Sequence, residues 1–80
     1  MKTINSVAEL KRLARGGPLE CAITLSGGLI SRKYISYNGK RFYIENCIDD
    51  TTQWLNEKQL FDDTFTNIGK ALKMGALVII

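Results

Sequence analysis

The dipeptide Asn38-Gly39 lies between two stretches rich in β-branched and aromatic residues, 29–37 and 40–47. Asn-Gly is the strongest short signal for a β-hairpin, because a two-residue type I′ turn needs positive φ at both central positions. A loop of two residues also fixes the register and places Tyr34 opposite Tyr43, which is a favourable cross-strand pair. The dipeptide therefore predicts an antiparallel hairpin.

The segment before the hairpin predicts one helix and one strand. Ser6 and Glu9 have the spacing of a capping box, in which the Ser6 hydroxyl accepts from the Glu9 amide and Glu9 reaches back to the Ser6 amide. Gly16-Gly17-Pro18 ends this helix. Residues 19–25 alternate as in a strand with one apolar face, and Ser26-Gly27-Gly28 predicts a turn.

The segment after the hairpin predicts a third strand. Asp49-Asp50 is typical of a turn, and residues 51–55 then return beside the hairpin. This return places Trp54 near Glu45. Residues 29–55 are therefore expected to form a three-stranded meander.

The C-terminal part predicts short helices and a last strand. Residues 56–59 resemble a capping box, and Thr66 or Asn67 caps a further helix. Residues 76–80 are apolar and predict a strand inside the sheet, or alternatively one that pairs across a homodimer interface. The expected class is α+β, with an antiparallel sheet of about five strands, an N-terminal helix and one or two short helices before the last strand.

Length and composition favour one folded domain over residues 1–80. Apolar residues make up 45% of the chain and charged residues 24%, which is ordinary for a folded domain. No apolar run approaches the roughly 20 residues needed to span a bilayer, and the N-terminus has no apolar signal-peptide core. We therefore expect a cytoplasmic protein without membrane contact, with Cys21 and Cys47 both reduced and buried.

The residue types argue against an enzyme. The chain has no histidine, which removes the commonest general base and the commonest metal ligand. The two cysteines do not have the spacing of a zinc site. Asp49-Asp50 and Asp62-Asp63 suit a turn and a helix end better than a metal site. No catalytic residue, metal or cofactor is predicted.

One face of the predicted sheet combines aromatic and basic side chains. Aromatic residues and arginine are over-represented at protein-binding hot spots, and they also stack on nucleic-acid bases. Ordinary packing within the fold is the alternative. The predicted partner-binding residues are Arg32, Tyr34, Arg41, Tyr43 and Trp54.

The chain also resembles, nearly end to end, a family of small proteins of unassigned function encoded by bacteriophages and prophages. The resemblance rests on Ser6-Val7-Ala8-Glu9-Leu10-Lys11, Ser31-Arg32-Lys33-Tyr34-Ile35 followed by Tyr37, Ile48-Asp49-Asp50, Thr66-Asn67-Ile68-Gly69-Lys70-Ala71 and Lys73-Met74-Gly75-Ala76-Leu77. It implies a phage accessory protein in a bacterial host cell. Such a protein is expected to bind and block a host macromolecule, such as a CRISPR effector or another anti-phage defence component. The alternative function is a nucleic-acid or nucleotide-binding module that uses the same face.

Overall fold

The fold is a six-stranded antiparallel sheet with three helices. A computed structural model describes residues 2–25 and 28–80. In chain order the elements are β1 (Lys2–Thr3), α1 (Val7–Ala14), β2 (Leu19–Leu25), β3 (Gly28–Tyr37), β4 (Phe42–Asn46), β5 (Thr51–Leu55), α2 (Glu57–Asp62), α3 (Ile68–Met74) and β6 (Leu77–Ile79). The strands lie in the order β1-β6-β2-β3-β4-β5. The predicted α+β class with its N-terminal helix is confirmed, and the sheet has one strand more than expected.

The last strand lies inside the sheet, as its apolar sequence predicts. β6 pairs with β2 on one side and with β1 on the other. The two-residue strand β1 was not predicted, because two residues are too few to show a period. Since both edges of β6 are paired, its backbone is not free to pair across a dimer interface.

The register of the hairpin differs from the prediction by two residues. Tyr37 pairs with Phe42, and Tyr34 lies opposite Glu45 instead of Tyr43. The loop has four residues because the Asn38 side chain accepts from the two amides that follow Gly39, and this closes a wider turn. A shift of two residues keeps every side chain on its predicted face.

The β4–β5 turn changes the neighbouring register in the same way. Asn46 pairs with Thr51 across a four-residue turn, in which Asp50 has a φ of 57°. Trp54 therefore lies opposite Tyr43, and Glu45 is its diagonal neighbour on the same face. Cys47 lies in this turn and is exposed, so the prediction that both thiols are buried is wrong for Cys47.

All three helices pack on one face of the sheet, which we call the inner face. Ile35, Phe42 and Ile44 alternate on this face and are fully buried. The helices cover them with Leu10 and Ala14 from α1, Leu60 from α2, and Ile68, Ala71 and Leu72 from α3. The opposite face, called the outer face below, carries no helix among the described elements.

The helix caps follow the sequence with one change. Ser6 accepts from the Glu9 amide, but the Glu9 carboxylate accepts from the amide of Asn5 instead of Ser6. α2 has a complete capping box, and Asn67 is the N-cap of α3 without a capping bond from its side chain. In the predicted turn at residues 26–28, Gly28 begins β3, while Ser26 and Gly27 lie outside the described residues.

Close contact between α2 and α3 depends on Gly69. A methyl group at this buried position would lie 2.5 Å from the Cα of Phe61 and 2.8 Å from the carbonyl oxygen of Leu60. We expect Gly69→Ala to lower the free energy of unfolding by about 1–3 kcal/mol, because the two helices must separate. Urea unfolding of the wild type and of Gly69→Ala measures this difference in the free energy of unfolding. Gly16→Ala is the matched control, since a methyl group there meets only an ordinary contact at 3.8 Å. Equal stability of the two variants would contradict this packing.

Candidate functional site

Three of the five predicted binding residues lie together on the outer face. Tyr43 and Trp54 are cross-strand partners whose ring centroids are 4.7 Å apart. Tyr34 lies diagonal to Tyr43 on the same face, because Ser36, two residues further along β3, pairs with Tyr43. Trp54 is 55% exposed even though it packs on Tyr43. None of the described helices covers this part of the face, so much of the indole surface is in contact with water while Tyr43 packs against it.

The two predicted arginines are placed differently. Arg32 lies on the outer face and forms an ion pair with Glu20 of β2. Arg41 lies in the loop between β3 and β4, outside the strands, so the structure does not bring it into the sheet with the others. Glu20 and Glu45 share the outer face with Arg32. The charge of this face is therefore mixed, and it is not a basic stripe.

A β-bulge creates a second surface that the sequence analysis missed. Cys21 pairs with Lys33 and Ile23 pairs with Ile30, so two residues of β3 lie opposite one residue of β2. Ser31 in the bulge has a φ of 52°. The bulge redirects the first half of β3 relative to the rest of the sheet.

Exposed apolar side chains surround this bulge. Three shallow concavities meet at Ser31, and six of the seven large apolar side chains found exposed in the described residues line them. We call this set the Ser31 surface: Leu29, Ile30, Ile48, Phe65, Met74 and Ile80. Only Trp54, the seventh, lies elsewhere. The six come from positions far apart in the chain, so no local pattern indicates that they lie together.

A buried polar cluster lies beside the Ser31 surface on the inner face. Lys33 is 4% exposed, and its Nζ donates to Oδ1 of Asn46 over 2.9 Å. Asn46 in turn donates to Oγ1 of Thr51 and Oε1 of Gln53. No carboxylate among residues 2–25 and 28–80 forms a salt bridge with Lys33, which lines a cavity of about 130 Å³. Burial lowers the pKa of Lys33 below its ordinary value.

The cluster continues into the segment between α2 and α3. Gln53 donates to Asp63, and Asp63 also accepts from the amide and the hydroxyl of Thr66. Burial alone raises the pKa of Asp63, but the bonds from Thr66 and Gln53 outweigh it and the pKa is lowered. These bonds attach the segment to β5. Asp63 therefore has a structural role here.

Asp49 and Cys21, two further candidates for chemistry, also have structural roles. Asp49 accepts from the amide and hydroxyl of Thr51 and so closes the β4–β5 turn. Burial raises the pKa of the Cys21 thiol to about 12, so it stays protonated at neutral pH. In the described part of the chain no three acidic or cysteine side chains are grouped as a metal site would require. The helices there are all too short or too polar to cross a membrane.

The buried amine of Lys33 gives a testable pH dependence. Because its pKa is lowered on folding, the folded chain binds fewer protons than the unfolded chain in the alkaline range below 10.5. We expect the free energy of unfolding, relative to that of Lys33→Met, to rise as the pH rises through this range. Urea unfolding of both proteins between about pH 7 and pH 10 measures the difference. Other titrating groups are common to both proteins, and a constant difference would contradict the burial of a charged Lys33.

Comparison of the chain with protein-family models, curated proteins and solved structures gives no match. The resemblance to phage-encoded proteins therefore stays a prediction. The site has to be interpreted from its own geometry.

Proposed function

We propose that the chain is a non-enzymatic binding domain that holds a partner protein against the outer face of its sheet. The observation that supports this is the Tyr43–Trp54 pair, in which Tyr43 packs on an indole that is 55% exposed, on a face that none of the described helices covers. Trp, Tyr and Arg are the side chains most often found at hot spots of protein interfaces. Tyr34 and Arg32 extend the same face towards β2.

The geometry of these groups favours tight binding because they are already ordered. Tyr43 packs against the indole of Trp54, and Glu20 holds the guanidinium of Arg32. Immobilising a free side chain at an interface costs about 0.5–1.5 kcal/mol. Side chains that are fixed before binding avoid part of this cost, so more of the contact energy contributes to affinity.

The resemblance to phage proteins gives this proposal a context. A phage accessory protein of this kind would act by occupying a surface of a host protein, such as a CRISPR effector or another defence component. Such blocking needs no catalytic group. The buried, protonated thiol of Cys21 and the turn-closing role of Asp49 are consistent with a protein that works by binding alone.

Nucleic acid or a nucleotide is the second candidate partner. The exposed indole of Trp54, on the same face of the sheet as Arg32, favours it, because bases stack on such groups. The carboxylates of Glu20 and Glu45 on the same face disfavour it, since they repel phosphates. Titration with single- and double-stranded DNA and RNA, followed by Trp54 fluorescence, distinguishes the two. Quenching that weakens steeply with salt would identify a nucleic-acid interface.

The test of the protein-binding proposal compares two faces of the molecule. A partner captured from host cells is purified, and its affinity is measured for the wild type, Trp54→Ala and Arg12→Ala. Arg12 is an exposed residue of α1, on the helical side of the molecule. We expect Trp54→Ala to weaken binding by at least about 30-fold, as a hot-spot residue does. Arg12→Ala should have little effect.

The reverse result would contradict the proposal. If a partner binds Trp54→Ala as tightly as the wild type but binds Arg12→Ala much more weakly, the interface is on the helical side. Circular dichroism of both variants shows that they are folded.

A further inference from the structure

We propose that two copies of the chain associate through the free edge of β3, with the Ser31 surface of one copy packed on that of the other. This inference does not depend on the proposed function. It concerns an edge and a surface that the outer-face aromatic pair does not use.

The first half of β3 has a free edge because β3 is twice as long as β4, its neighbour on that side. β3 covers residues 28–37, whereas β4 pairs only with residues 33–37 of it. The last link between β3 and the segment after β4 is the bond from the Cys47 amide to the Arg32 carbonyl oxygen. Among the described strands, none pairs with residues 28–31 on that side. An extended segment placed there would find unpaired backbone groups.

The edge segment also lacks two of the usual protections against pairing, charged residues and proline. Exposed edges are commonly guarded by charged residues or proline, and Gly28-Leu29-Ile30-Ser31 contains neither. Leu29 and Ile30 are both nearly half exposed. The bulge at Ser31 interrupts the edge only at its end and leaves the three residues before it paired with β2.

Apolar side chains lie on both sides of this edge. On the outer side, Leu29 shares a concavity with Ile48 and Ile80. On the helical side, Ile30 shares one with Met74 of α3. A strand added at the edge would therefore lie between two apolar regions. Large apolar side chains clustered on the surface of a folded domain are typical of an interface, so the concentration of six of them around this edge indicates one.

The occupant that fits best is a second copy. An identical edge brought by a two-fold axis is antiparallel, and each copy then supplies the backbone partners that the other lacks. Charge does not oppose this. Arg32 is already paired with Glu20, and the remaining charged groups at the rim, Asp49 and Lys70, have opposite signs. Trp54 lies two strands away on β5 and stays free for a partner.

The test is the mass of the purified protein as a function of concentration. Sedimentation or light scattering from micromolar to millimolar concentration should show the mass rise from 9.0 kDa towards twice that value. In Leu29→Glu/Ile48→Glu, two like charges enter each half of the interface. We expect this variant to dimerise at least about tenfold more weakly. The single variant Ile48→Glu, at a turn position that is 75% exposed, repeats the test with little risk to folding.

Trp54→Glu is the matched control, because it places the same charge on the large exposed apolar residue that, among the described residues, lies outside the Ser31 surface. It should dimerise like the wild type. Hydrogen exchange at residues 28–31 should slow as the concentration rises. A wild type that stays at 9.0 kDa, or a dimer that Trp54→Glu disrupts and Leu29→Glu/Ile48→Glu does not, would overturn the proposal. Neither result would change the expectation for Trp54→Ala and its partner.

Discussion

Removal of Ile35, Phe42 and Ile44 from water is the requirement on which the rest of the molecule depends. These side chains alternate along two neighbouring strands, so they all project from one face of the sheet. The three short helices of the described residues all cover that face. None of them covers the other face at Tyr43 and Trp54. The exposure of the Trp54 indole follows directly from this one-sided cover.

The helices do not cover the whole inner face of the sheet. Beyond Ile35 and Ile44 the inner face becomes polar, with Lys33 and Asn46 as the next cross-strand pair. A buried lysine bonded to a neutral amide is costly unless its surroundings remain polar, and the bonds from Asn46 to β5 provide this. The apolar core therefore stops short of the bulge. The first half of β3 extends past it, and the Ser31 surface is what remains uncovered.

The sequence predicts which side chains share a face of the sheet, but it does not predict which residues pair across neighbouring strands. Alternation places Tyr34, Tyr43 and Trp54 on one face whichever loop joins the strands, because a shift of two residues preserves the side. The loop lengths depend instead on side-chain bonds, such as those of Asn38, that alternation does not reveal. The Ser31 surface was missed for a different reason. Its members lie on β3, on α3, in two connecting segments and just after β6, and only the tertiary fold brings them together.

The three described helices cover the inner face of the sheet and leave the part of the outer face around Tyr43 and Trp54 open to solvent. Hydroxyl-radical footprinting of the dilute protein, read out by mass spectrometry, measures this for each side chain directly. The account predicts rapid oxidation of Trp54, and of Ile48 and Leu29 around the bulge, with Phe42 and Leu10 protected. Trp54 oxidised as slowly as Phe42, in a protein shown to be monomeric under the same conditions, would mean that the outer face is covered and would contradict the account.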